Sequence, residues 1–180
     1  SVPMGSKPYD AKAGAGCTTL EVQMDSSGEP HLVEEFVSIS GTCVNCAGGP
    51  TPWGSWLTCE ETTEGIPQGR LEPHGYVFEI PPGANDEVDA VPLREMGRFS
   101  HEAVAVDPRF GHIYETEDAG NSSGFYRFIP KMRRELAAGG RLQMLAVKGE
   151  PRLDTTRGGI TPLVPLEVEW VDVEDPDPAV

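Results

Sequence analysis

Short stretches of alternating apolar and polar residues run along most of this chain, separated by glycine, proline, aspartate and asparagine. Thr18–Met24 (TTLEVQM) and His31–Ser40 (HLVEEFVSIS) flank the turn DSSGEP, and this pattern predicts a β-hairpin. Further short strands are predicted at Trp56–Glu61, Tyr76–Ile80, Ala103–Asp107, Ile113–Asp118, Phe125–Ile129, Leu142–Val147 and Val168–Val173. Lys131–Ala138 (KMRRELAA) is the one stretch with helix-forming composition; Gly139-Gly140 ends it, so one or two turns are expected. Residues 1–16 read as irregular, and 174–180 (EDPDPAV) as an acidic, proline-rich linker and a point of truncation from a longer chain.

A faint internal echo sharpens the fold class. GSWLTCEET (Gly54–Thr62) aligns with GHIYETEDA (Gly111–Ala119), and GYVFEIP (Gly75–Pro81) with GFYRFIP (Gly124–Pro130). Repeats of about 40–50 residues, each several strands long, mark β-propellers. The reading is therefore all-β, a β-propeller, with a sandwich or jelly roll as the competing architecture. At four strands per blade the 180 residues would supply roughly three to four blades of one domain. Such an open set would leave strand edges exposed.

Composition narrows the partners. The 21 glycines and 17 prolines suit many turns rather than long helices. A net charge of −15 argues against nucleic acid and anionic membranes and favours cations. No apolar run approaches the ~20 residues of a membrane span. An anionic substrate would need bound metal to invert the local field.

The densest chemistry lies in GTCVNCAGGPTPWGSWLTCEET, Gly41–Thr62. Cys43 and Cys46 form a CxxC, but the glycines and prolines that follow forbid the helix a redox motif opens. Zinc would recruit Cys43, Cys46 and Cys59 with Cys17 or a histidine, yet a second closely spaced pair is missing. A Cys43–Cys59 or Cys17–Cys59 disulfide and buried free thiols remain open. Glu60 and Glu61 end a strand, so only one of them can face a given site unless the strand bends. Glu115, Glu117 and Asp118 form a second acidic cluster, with Glu115 and Glu117 on one strand face. His101 and Glu102 precede the apolar run Ala103–Val106, where a carboxylate is costly unless paired or metal-bound. Carboxylates suit calcium, and a thiolate from Cys46 shifts the preference towards iron. His31 and His74 read as surface or turn residues, and His112 starts a strand. Trp53 and Trp56 would wall the Cys46 loop, or simply pack a core.

NCAGGPTPWGSWLTCEE, GYVFEIPP, MGRFSHEAVAVDP, IYETEDAGNSSGFYRFIP and VEWVDVEDPDP, in this order, resemble the PhoX-type alkaline phosphatase family from about residue 41 onward. The resemblance implies a six-bladed propeller from a longer, exported chain, periplasmic or secreted, hydrolysing phosphate monoesters with ferric iron and calcium in its central channel. It implies Cys46 as the iron thiolate, Glu61 in preference to Glu60 as a ligand, Glu102 as another, and Glu117 by motif position. Asn45, His101 and Asp118 flank these and are expected to orient them. Cys43 and Cys59 are expected to be structural. Remaining ligands and a phosphate-gripping arginine are expected on blades after Val180. No protein nucleophile is apparent, so metal-bound oxide or hydroxide is the expected attacking group. The alternative function is a catalytically silent, calcium-binding propeller that holds a ligand or partner.

Overall fold

The computed structural model describes residues 5–150, 152–155 and 160–179. They form ten strands in three antiparallel sheets, and among the described residues there is no α-helix. The predicted hairpin forms: β1 (Ala15–Met24) pairs with β2 (Pro30–Thr42). Its turn is built by Asp25, whose carboxylate accepts the Ser27 and Glu29 N–H groups at 2.8 and 3.0 Å, while Gly28 takes φ 86°. The ribbon's distal end is exposed, and Ser38–Thr42 at its base is buried.

Two meanders follow. The shorter orders β3 (Gly49–Pro50), β4 (Trp56–Cys59) and β5 (Val77–Ile80). The longer runs β6 (His101–Val106), β7 (Ile113–Glu117), β8 (Phe125–Pro130), β9 (Gly140–Val147) and β10 (Val168–Asp172). The sequence echo falls on matching places: β4 and β7 are the second strands of the two meanders, β5 and β8 the third. The first strands meet side by side, because Gly48 forms a parallel bridge with Ala103. Among the described residues no sheet closes on itself. What the structure establishes is an all-β chain of antiparallel sheets.

Apolar faces of both meanders meet in one core, which includes Leu57, Val77, Met96, Ile113, Phe128 and Leu142. A smaller cluster of Ile39, Tyr76, Phe78 and Ile80 seats the hairpin base, with Tyr9 and Cys17 against it. Both clusters are held by alternate residues of short strands.

Three expectations need correction. Lys131–Ala138 makes no α-helix; only Leu136–Ala138 winds, as a 3₁₀ turn. The Lys131 N–H donates to the Gly139 carbonyl at 2.9 Å, closing a loop about the one buried anchor, Leu136. Eight residues cannot repay helix nucleation without an apolar stripe to bury. Residues 1–16 are not irregular throughout: Ala15 and Gly16 open β1, and Asp10 and Ala13 are buried. Finally, the acidic C-terminal stretch does not behave as a linker. The Asp177 carboxylate accepts the Tyr76 hydroxyl at 2.6 Å and the Arg94 guanidinium at 2.9 Å, and the Pro176 carbonyl accepts the Arg98 N–H. Charge pairing and backbone bonds thus dock a segment whose composition alone suggested a solvated tail.

Candidate metal centre

The stretch Cys43–Gly48 leaves β2 and lies along the end of β4. Asn45 bridges Glu60, the Cys46 N–H donates to the Cys59 carbonyl at 2.8 Å, and the Glu61 N–H donates to the Val44 carbonyl at 2.9 Å. The start of β6 closes the other side. His101 N–H donates to the Glu60 carbonyl, and Gly48 N–H to the Glu102 carbonyl. Backbone bonding therefore sets Cys46, Glu61 and Glu102, from three separate segments, side by side.

Two features make this approach possible. A side chain at Gly48 would collide with the Leu57 carbonyl, and one at Gly49 with the Val104 carbonyl. The double glycine is thus what allows the chain between β4 and β6, and Gly48 also needs its φ of 61°. Val44 holds φ 45°, a left-handed backbone that β-branched residues avoid; such a position costs of order 1–3 kcal/mol and persists only where its surroundings fix it.

Glu60 and Glu61 diverge as strand geometry requires. Glu60 is fully buried and Glu61 half-buried. The Glu61 carboxylate lies within reach of the half-buried Cys46 thiol, and Glu102, exposed on β6, adds its field. Burial pushes the thiol above its ordinary value, the Ala47 N–H opposes this, and the Glu61 and Glu102 carboxylates raise it further. One thiol and two carboxylates with no cation between them repel one another once ionised, which a bound cation would relieve. Sulfur plus carboxylate is the donor mixture that suits iron, and carboxylates suit calcium. Among the described residues, no group of three or more His, Cys, Asp or Glu side chains is placed to hold a metal ion.

Glu60 is placed differently. One oxygen accepts the Cys43 N–H at 2.8 Å and faces His74 Nδ1 at 2.7 Å; the other accepts the Gly75 and Tyr76 N–H groups at 2.7 and 3.2 Å. His74, read as a surface or turn residue, lies in the loop before β5 but is fully buried, with Nε2 3.4 Å from Asp10. Asp10 is itself buried and gathers the Lys12, Leu71 and Glu72 N–H groups. Burial pushes the His74 pKa down, and the flanking Glu60 and Asp10 carboxylates outweigh it, leaving it above its ordinary value. For Asp10, burial pushes up, and the backbone donors and His74 prevail, leaving it low. A group raised on folding contributes stability in full below its unfolded pKa, near 6.5, and loses it as pH rises through the folded value. The stability gap between the natural protein and His74→Gln should therefore shrink as pH climbs above about 6.5. Urea melts across that range test it, and a gap that stays constant or widens contradicts it.

The other expected positions lie nearby, with Glu117 across from His101 in the β6–β7 pair, but each side chain is engaged elsewhere. Asn45 braces the loop: it accepts the Thr42 hydroxyl at 2.6 Å and donates to Thr58 at 2.8 Å. His101 turns into the core, stacked on Phe99 at 3.6 Å, with Nε2 against the Gly97 carbonyl at 3.1 Å. Its Nδ1 is 3.3 Å from Glu115, but the angles are wrong for a hydrogen bond, and neither Glu115 oxygen has a partner. Burial lowers the His101 pKa to about 4 and raises that of Glu115 well above the usual carboxylate range. Burial disfavours the charged form of each, and with no hydrogen bond between them the contact is not a salt bridge of the ordinary kind. Glu117 accepts the Gly124 N–H at 2.8 Å and the Tyr126 hydroxyl at 3.0 Å. Asp118 is exposed and caps the Gly120 N–H.

All four cysteines are free, so of the two alternatives left open, a disulfide or free thiols, the structure has the free thiols. Burial pushes the Cys43 thiol to about 11 and raises Cys59 as well, which keeps both protonated and inert. Trp53 and Trp56 lie at the opposite end of β4 from Cys46; Trp53 packs on the core and donates to Glu79 at 2.9 Å. Sequence reasoning missed Asp10 and His74. The nearest signal was the run of buried-strand residues directly after His74.

The sequence profile of the family described as alkaline phosphatase PhoX matches residues 11–180. The chain belongs to that family. This PhoX chain matches no curated protein and no solved structure. Among the described residues no helix is long and apolar enough to cross a membrane.

Proposed function

We propose that this PhoX chain belongs to a phosphatase that hydrolyses phosphate monoesters with ferric iron and calcium held in the channel of a β-propeller. The observation that carries the reading is the convergence of Cys46, Glu61 and Glu102 from three segments, within a family of alkaline phosphatases. Two meanders whose first strands run side by side in parallel support the propeller, since neighbouring blades present their inner strands this way. Export to the periplasm or beyond accords with the family.

Cys46 would give iron its thiolate, and Glu61 and Glu102 would supply carboxylate oxygens, with Glu117 included by motif position. Iron and calcium bound there would supply the positive charge that orients and neutralises a phosphoryl group in an otherwise acidic protein. The chain's own residues hold the donors in place. The double glycine admits the loop, Asn45 fixes its bend, and Glu60, with every lone pair engaged by a donor, serves the backbone rather than the cluster.

The natural protein should contain iron and calcium by elemental analysis and turn over p-nitrophenyl phosphate, with activity lost to a chelator. Cys46→Ser should lose iron and activity together, by more than the ~10–100-fold that loss of an outer partner costs. Retained iron would remove Cys46 from the ligands. Calcium binding without turnover would replace the enzyme with a silent calcium-binding propeller.

A further inference from the structure

Glu60 and Glu61 are neighbours that face opposite ways, and what Glu60 faces reaches far from the site. Its carboxylate ties the Cys43 N–H, three residues before Cys46, to the Gly75 and Tyr76 N–H groups ahead of β5. Through His74 it continues to Asp10, which in turn binds the Leu71 and Glu72 N–H groups. Both ring nitrogens of His74 face a carboxylate, Glu60 on one side and Asp10 on the other, so the ring bridges the two in a fully buried line. The strained Val44 sits between two of these fixings: Glu60 holds the Cys43 N–H on one side, and the Glu61 N–H holds the Val44 carbonyl.

We propose that Asp10 and His74 are positioning residues for the Cys46–Glu61 pair, acting through Glu60, so that the N-terminal segment sets the geometry of the site. This rests on the metal-site reading above only in naming what the pair would hold. The brace itself is a statement about the loop. A buried carboxylate with four backbone and ring donors, joined by a histidine to a second such carboxylate, fixes its attached loop far more tightly than apolar packing would.

The test uses the natural protein stripped of metal, with His74→Gln and Asp10→Asn; Asn keeps an acceptor oxygen for the Leu71 and Glu72 N–H groups and serves if His74→Gln does not fold. Iodoacetamide labelling, read peptide by peptide, should modify Cys46 several-fold faster in the variants, with Cys17 on β1 unchanged as the internal reference. Titration with cobalt(II), followed by thiolate-to-metal absorption, should show half-saturation shifted by about tenfold or more. Folded variants that keep both the wild-type Cys46-to-Cys17 labelling ratio and the wild-type cobalt affinity overturn the brace. If wild-type protein gives no thiolate band with cobalt while Cys46 labelling still accelerates in the variants, the brace stands and the metal reading falls.

Discussion

Glu60→Ala should lower the free energy of unfolding by roughly 3–5 kcal/mol, the range found when one partner of a buried charged network is removed. The substitution strands the Cys43, Gly75 and Tyr76 N–H groups and leaves His74 with Asp10 alone. Each stranded donor costs its full desolvation, about 1–3 kcal/mol, unless water enters. Glu60→Gln should also destabilise, because the amide presents a donor to donors on one side. Denaturant melts of the natural protein at neutral pH give the number. A loss below about 1 kcal/mol, the worth of one ordinary hydrogen bond, would show that the carboxylate does not hold these segments together.

Gly48→Ala should cost roughly 2–5 kcal/mol. Two effects combine: a methyl forced against the Leu57 carbonyl, at about 1–3 kcal/mol for overpacking, and a left-handed backbone, at about 1–2 kcal/mol for a residue with a Cβ. Relaxation would push the loop away from β4, so the Cys46 N–H bond to the Cys59 carbonyl should weaken with it. Thermal melts read the first effect, and amide exchange at Cys46 the second. A variant as stable as the natural protein, with Cys46 still protected, would mean that β4 and β6 can part at no cost.

Strands were the most legible part of the sequence. Seven short strands were predicted beyond the hairpin, and all seven form, at boundaries within one or two residues. Period-two alternation is a local signal, and the sheets only needed partners to realise it. The echo between Gly54–Thr62 and Gly111–Ala119 located equivalent strands, since similar strands in similar meanders need similar patterns. The Lys131–Ala138 segment keeps only its last turn, stopped at Gly139 as expected: its residues favour a helix one by one, but no stripe of them is buried.

By itself, the sequence determined the strands, the tight glycine loop, and the rule that Glu60 and Glu61 must part company. Each follows from backbone sterics and side-chain alternation over a few residues. Only the tertiary structure decided which glutamate goes where. It also brought Asp10 to His74, left the four thiols unpaired, turned His101 away from its neighbour Glu102, and docked Asp177 on Arg94. These are contacts between residues far apart in the chain, fixed by how sheets pack and by the need of buried polar groups for partners. The alternation that splits Glu60 from Glu61 is written in the strand; the four donors that claim Glu60, and leave Glu61 beside Cys46, come from two other places in the fold, the Cys43 turn and the run His74–Tyr76.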